Sequence, residues 1–449
     1  MRTLIKLAVA GLAVLAVLQL VHPGIPSGPT GTELQAPPAV RRILEKDCYS
    51  CHSNERRLAW FDQIVPGYWL VRHDILKARE RLNFSTLGSR PVAAQEAALF
   101  EAVNMVQFGS MPLRQFVALH PDAKVTPQEL AVLKSYLAPW SKVGGPVAPG
   151  GDVAAPAAST NLNAVPAEFN GVPFQADFET WKAISFTDRG DNNTFRAILG
   201  NPIAVKAAES GNVSPWPDGT RFAKIAWQQA VGEDGIVYPG KFVQVEFMLK
   251  NAELYRKTEG WGFGRWRGNE LKPYGSDAQF VAECTGCHEP MSPNDFVYTL
   301  PITLAKLKRD EVANSRAAVL PPGIPYQPLD WEVLTMFVDP KAHTMSALFG
   351  NDAAQAARVR GSNPGNAPLY PVGSVLALIT WTQREDPHWF GGRIPDTPQS
   401  VEFVEADGAG KARGYRRYDG PSMQEQTPQA EDVARRSNFL LTLAPAMLP

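Results

Sequence analysis

The 449-residue chain has only four cysteines, no excess of charge of either sign and no acidic or basic tail. Forty-four Lys and Arg against 45 Asp and Glu give a net charge of −1. That balance speaks against nucleic acid and against a strongly cationic partner. Hydrophobic residues make up 44 % and charged residues 20 %. Packed domains are therefore expected, about three at this length, and general disorder is not. Four cysteines also allow two disulfides or one zinc site. The two pairs, however, lie far apart in the chain, whereas a zinc ribbon brings its pairs within about 20 residues. At the N-terminus an apolar run from Leu4 to Val21 follows Arg2, with Lys6 inside it, and no A-x-A cleavage site comes after. This predicts a membrane anchor or signal segment over residues 1–30. An uncleaved anchor is favoured, with the positive end inside and the remainder in the periplasm.

The cysteines that are present fall into one pattern, twice. Cys48-Tyr-Ser-Cys51-His52 and Cys284-Thr-Gly-Cys287-His288 are both C-x-x-C-H, the attachment signature of a c-type haem. The reading is two covalently bound haems: thioethers at Cys48, Cys51, Cys284 and Cys287, and iron ligands at His52 and His288. Covalent haem c is assembled in the periplasm, which agrees with the N-terminus.

Residues 35–142 read as a small all-α electron-transfer domain. A helix runs into the first motif at Arg41–Asp47 and another is expected over 94–106. Thr126-Pro-Gln-Glu129 is a capping box that opens a third. The Met111-Pro112 loop supplies the expected second axial ligand, Met111; His73 is the rival, and otherwise a surface residue. This stretch resembles the haem-binding domain of many bacterial periplasmic proteins, through Asp47–Asn54, Trp69–His73, Leu82–Ser85 and Met111-Pro112. A Pro/Gly/Ala linker over 143–168 is expected to be a tether.

The remainder contains one pattern twice. Thr194–Asn201 matches Thr344–Asn351, and Trp181 matches Trp331, each 150 residues apart. Trp216–Trp227 matches Tyr370–Trp381, Val245–Phe247 matches Val401–Phe403, and Gly262–Gly268 matches Gly414–Gly420. These blocks read as short strands, predicting two tandem α+β domains with antiparallel sheets, at 169–318 and 319–449. A helix from about Asp277 would carry the second haem motif back onto the sheet. The second copy has no C-x-x-C-H; the region around Arg436 takes its place. Lys224 becomes Leu378 and Arg196 becomes Ser346, while Glu246 is retained as Glu402. Residues lost together with the haem are candidates for work at it, which promotes Lys224 and Arg196 and assigns Glu246 to architecture. Alternation over 220–228 puts Phe222, Lys224 and Ala226 on one face and Arg221, Ala223, Ile225 and Trp227 on the other. A lysine on the apolar face is either a neutral amine beside the haem edge or a side chain reaching out at the sheet edge. Arg196 is either a donor to a bound substrate or a surface ion-pair residue. His388, in Asp386-Pro-His388-Trp-Phe, is read as a surface loop residue.

Residues 170–300 resemble cytochrome P-460 through Ile198–Ala208, Trp216-Pro-Asp-Gly219, Phe222-Ala-Lys224, Gly260–Gly264 and Cys284–His288. The resemblance implies a mostly antiparallel β fold, usually dimeric, with a five-coordinate c-type haem bonded to a lysine, here Lys224, and oxidation of hydroxylamine. With a second haem in the same chain, electrons are expected to pass onward to the His52/Met111 haem and then to a periplasmic or membrane acceptor. Related β-type cytochromes c′, which bind nitric oxide and lack the lysine bond, imply the alternative of a gas-binding protein. A plain di-haem carrier and, more weakly, a peroxidase are further readings. The haem-free repeat is expected to stand in for a partner subunit.

Overall fold

The computed structural model describes residues 2–55, 57–141, 161–276, 278–299, 301–302, 324–358, 368–420 and 422–449. The chain divides into two compact units, 1–140 and 141–449.

The first unit is helical. Its principal helices are Arg2–Leu18, Pro38–Asp47, Gly67–Arg81, Val92–Gln107 and Pro127–Leu137, with the short turn Tyr49–His52 carrying the first haem motif. The capping box forms as expected: the Thr126 hydroxyl accepts from the Glu129 amide, and the Glu129 carboxylate accepts from the Thr126 amide. Helix Val92–Gln107 stops at Gly109, whose φ of 73° only glycine adopts cheaply. The Gly109 and Ser110 amides then close back on the Val106 and Met105 carbonyls. The Met111 amide also bonds the Met105 carbonyl, so the Met-Pro loop is folded onto the end of this helix.

The second unit is built on one antiparallel sheet of twelve strands. Its first half contains β1 (Lys182–Arg189), β2 (Thr194–Gly200), β3 (Arg221–Val231), β4 (Val237–Lys250), β5 (Trp261–Arg267) and β6 (Lys272–Pro273). Its second half contains β7 (Glu332–Asp339), β8 (Thr344–Gly350), β9 (Val375–Glu385), β10 (Gly392–Ala406), β11 (Ala412–Asp419) and β12 (Gln424–Gln426). The pairing β1-β2-β3-β4-β5 is followed by the same order in β7-β8-β9-β10-β11. A bulge between Ala183 and Ser185 has its counterpart between Val333 and Thr335. Gly200 faces the Ile184 and Ala204 side chains at a spacing that leaves no room for a Cβ, and Gly350 faces Leu334 and Ala354 in the same way.

The two halves do not separate into tandem bodies. Val237 of β4 pairs with Val338 of β7, and Asp188-Arg189 of β1 pair with Arg393-Gly392 of β10. A single apolar core crosses the boundary: Phe186 packs against Phe349 and Trp381 at ring distances of 6.1 and 6.3 Å. Sheet joining and shared burial outweigh the tandem organisation expected from the repeated blocks.

The expected linker also ends earlier than its composition implies. Residues 142–160 lie outside the described residues, but Leu162 and Val165 pack on the core. The buried Glu168 carboxylate accepts from the amides of Arg265, Tyr274 and Gly275. These three donors from a distant part of the chain, with the Phe169 amide as a fourth, explain why a Pro/Ala-rich stretch is pinned here. The predicted domain boundary at 318/319 also lies outside the described residues.

Candidate functional site

In the first half of the second unit, alternation along β2, β3, β4 and β5 sends two sets of side chains to opposite faces. Ala197, Leu199, Ala223, Ile225, Trp227, Val245 and Phe247 enter the shared core. Ile198, Phe222 and Phe263 face the other way, into a second cluster with Trp216 and Trp261, against which Met248, Cys284 and Phe296 pack. The helix Ala278–His288 therefore presents the second haem motif to this face, as expected, although Asp277 itself lies outside the described residues.

The ladder then sets four residues in one row across that face: Ile198, Lys224, Glu246 and Arg265. The Lys224 ammonium contacts the Glu246 carboxylate directly, and Arg265 Nε donates to Glu246 Oε1 at 2.9 Å. Arg265 also reaches Glu283, the residue before Cys284, at 3.3 Å. Arg196 lies one step along β2 on the same face, paired with Ala226. Its Nε is buried without a hydrogen-bond partner. Burial, then the Arg189 charge, lowers Arg196 to about 10. Burial lowers the Lys224 ammonium, with Glu246 acting against it. For Glu246, burial pushes the carboxyl up, but the charges of Lys224, Arg265 and Arg196 push it down further, well below the usual range. The Lys224 side chain is 30 % exposed, so it neither points into bulk solvent nor is sealed in the sheet.

Glu246, which comparison of the two copies assigns to architecture, thus stands in contact with Lys224. The same row in the second half reads Leu348, Leu378, Glu402 and Arg417. There Glu402 is held by Tyr415 and by two bonds from Arg436, at 2.9 and 2.6 Å, on the helix Ala430–Thr442. Leu378 and Leu348 fill the space beside it with an apolar cluster that includes Leu440 and Leu441. The carboxylate is common to both halves, but its partners are not.

Both motif histidines are oriented in the same manner. His288 Nδ1 donates to the Phe296 carbonyl at 2.7 Å, and His52 Nδ1 donates to the Leu82 carbonyl at 3.0 Å. Each bond leaves Nε2 as the ring nitrogen able to ligate a metal. Burial keeps both rings neutral, lowering His288 to about 4 and His52 also downwards. The four cysteines form no disulfide among the described residues. Burial pushes Cys48 and Cys284 up to about 12 and Cys51 to about 11. Cys48 opens on an apolar pocket lined by Val40, Leu44, Leu99, Val103, Val106 and Leu137. Apolar walls, paired thiols and a histidine with a free Nε2 are what a covalently attached haem requires at each motif. Met111 is half-buried at the end of the pocket-lining helix, whereas His73 is exposed on Gly67–Arg81.

His388 departs from expectation. It is in a loop, but it is half-buried and its Nδ1 donates to the Tyr298 carbonyl at 2.7 Å. The sequence offered no sign of this, because the partner is a main-chain atom 90 residues away.

Residues 13–139 match the family described as a haem-binding domain, and residues 175–299 match cytochrome P460. No curated protein matches the chain.

Proposed function

From a haem protein with a haem-binding domain followed by a cytochrome P460 domain, we propose a periplasmic di-haem cytochrome that oxidises hydroxylamine, or a similar small nitrogen compound, at its second haem. Cys284 and Cys287 would hold that haem by thioethers and His288 would ligate its iron. Cys48, Cys51, His52 and Met111 would do the same for an electron-accepting haem in the first unit. The observation that carries this reading is the row Lys224, Glu246, Arg265 with Arg196 beside it, on the face that packs against Cys284, where the haem-free half has Leu378 and Ser346. A bound haem would supply an iron able to take electrons from the substrate.

The protein's own groups divide the remaining work. Glu246 is an ionised, half-buried acceptor for protons released by the substrate. Arg196, with an unpaired Nε, is a donor available to it. Lys224 is the candidate third covalent tie to the ring. If its amine is bonded and neutral, Glu246 loses the largest charge holding its affinity for protons down, so the tie and the strength of the base are coupled.

The test is the reduced optical spectrum together with peptide mass spectrometry of the 224 region. Lys224→Ala is expected to keep two haems, to release the 224 peptide from the haem, to shift the reduced absorption bands of the second haem and to lose rapid reduction by hydroxylamine. An unchanged reduced spectrum in that variant removes the lysine tie. A second reading, a nitric-oxide-binding protein, is favoured by one feature: Lys224 satisfies Glu246 as a free ammonium. Tight binding of nitric oxide without turnover of hydroxylamine would select it.

We further propose that the N-terminal helix is retained as a membrane anchor. Residues after it are built into the haem domain: the Gln19 side chain bonds both the amide and the carbonyl of Val65. Trp69, Tyr68 and Arg72 donate to the carbonyls of Val21, Pro23 and Gly24. No helix among the described residues meets the length and hydropathy expected of a membrane span. Arg2–Leu18 has 17 residues, about 26 Å of rise, against a hydrocarbon core of about 30 Å. N-terminal sequencing of the membrane fraction decides the matter: a start at residue 1 or 2 supports the anchor, and a start beyond residue 20 rejects it.

A further inference from the structure

The segment that follows the second haem motif is unusual backbone. Asp295 and Phe296 have φ of 48° and 67°, two consecutive non-glycine residues in the left-handed region. A non-glycine residue in this region is strained and persists only where its surroundings hold it. This turn delivers the Phe296 carbonyl to His288 Nδ1. Its upstream end is held by the same half of the sheet. The Asp295 carboxylate accepts from the Trp216 amide and from Lys250 Nζ, both at 2.8 Å, and its carbonyl accepts from Trp261 Nε1.

The downstream end is held by the haem-free half. Tyr298 lies edge-on to the His288 ring at 5.3 Å, and its hydroxyl donates to the Cys287 carbonyl. Its own carbonyl accepts from His388 Nδ1, and its ring packs on Trp389 at 5.8 Å. The loop that brings these residues is itself fixed. The Asp386 carboxylate accepts from the His388 amide, and Trp389 Nε1 donates to Asp191 at 3.3 Å. The Arg189 guanidinium, paired with Asp191, lies 4.2 Å over the Trp389 ring.

We infer that the 386–390 loop of the haem-free half is a clamp on the proximal side of the second haem, and that His388 is a positioning residue for His288 through the 295–298 turn. This rests on the reading that His288 ligates the iron of a haem held by Cys284 and Cys287. A strong bond from Nδ1 to a carbonyl makes the imidazole a more electron-rich ligand. Releasing the clamp lets the strained turn relax and weakens that bond. The ligand then donates less, which favours the ferrous state.

The experiment uses the full chain with both haems. His388→Ala is expected to lower the iron–histidine stretching frequency of the ferrous second haem and to raise its reduction potential, with the first haem unchanged. His388→Asn, whose amide donor falls near the position of Nδ1, is expected to restore both. Should the alanine variant fail to accumulate, His388→Gln, with its donor one bond further out, takes its place and is expected to shift both readouts the same way. Wild-type values in His388→Ala or His388→Gln overturn the clamp, as does failure of Asn to restore them. Absence of any iron–histidine stretch from the second haem of the wild-type protein overturns the ligand assignment instead, so the two failures are told apart.

Discussion

Glu246 and Lys224 face each other across the β3–β4 ladder, and their contact is the most informative one in the protein. Lys224 was legible from sequence because alternation put it on the apolar face and the other copy has leucine there. Glu246 was not, because a carboxylate common to both copies reads as scaffold. Only the structure shows that one is satisfied by lysine and arginine from the sheet and the other by Arg436 and Tyr415. The proposed base is testable at this scale. Glu246→Gln is expected to retain both haems and to slow hydroxylamine-driven reduction by about 100-fold or more, the usual contribution of a positioned proton acceptor. Stopped-flow absorbance measures it. A rate within a factor of three of wild type would return Glu246 to architecture.

Strand by strand, the ladders of the second unit follow the blocks seen in the sequence, from Thr194–Gly200 and Thr344–Gly350 to Trp261–Arg267 and Ala412–Asp419. Short runs of β-branched and aromatic residues bounded by glycine carry that signal locally. The loop at 386–390 carries none of its role, since the bonds that tie it to the rest of the unit go to the Tyr298 carbonyl and the Asp191 carboxylate, both distant in sequence. Two predictions belong here. Gly350→Ala would place a Cβ 2.6 Å from that of Ala354 and 2.7 Å from Leu334 Cδ1, and is expected to cost about 1–3 kcal/mol in denaturant unfolding. Glu402→Gln leaves Arg436 without its carboxylate and is expected to cost about 3 kcal/mol at neutral pH. Burial pushes Glu402 up, but the bond and charge of Arg436 pull it below its ordinary value. Its stabilisation is therefore complete above an unfolded pKa of about 4.3 and is lost as pH falls through the lower folded value. The gap between variant and wild type should stay constant from pH 7 to 6 and shrink below pH 4. Urea midpoints across that range check the sign.

At the scale of the molecule, the shared core makes the two halves of the second unit one cooperative body. Phe186, from the first half, is buried against Phe349 and Trp381 of the second. Phe186→Ala is expected to cost about 3–5 kcal/mol and to shift a single unfolding transition of the whole unit. Two transitions for that unit, separable by calorimetry, would contradict it. Joining the halves through β4–β7 and β1–β10 also has an evolutionary consequence. In a dimer of identical chains, a substitution made in one pocket is inherited by the other. Where both pockets are encoded in a single polypeptide, each mutates alone, so one can exchange its chemistry for leucine and arginine and become the brace of its neighbour.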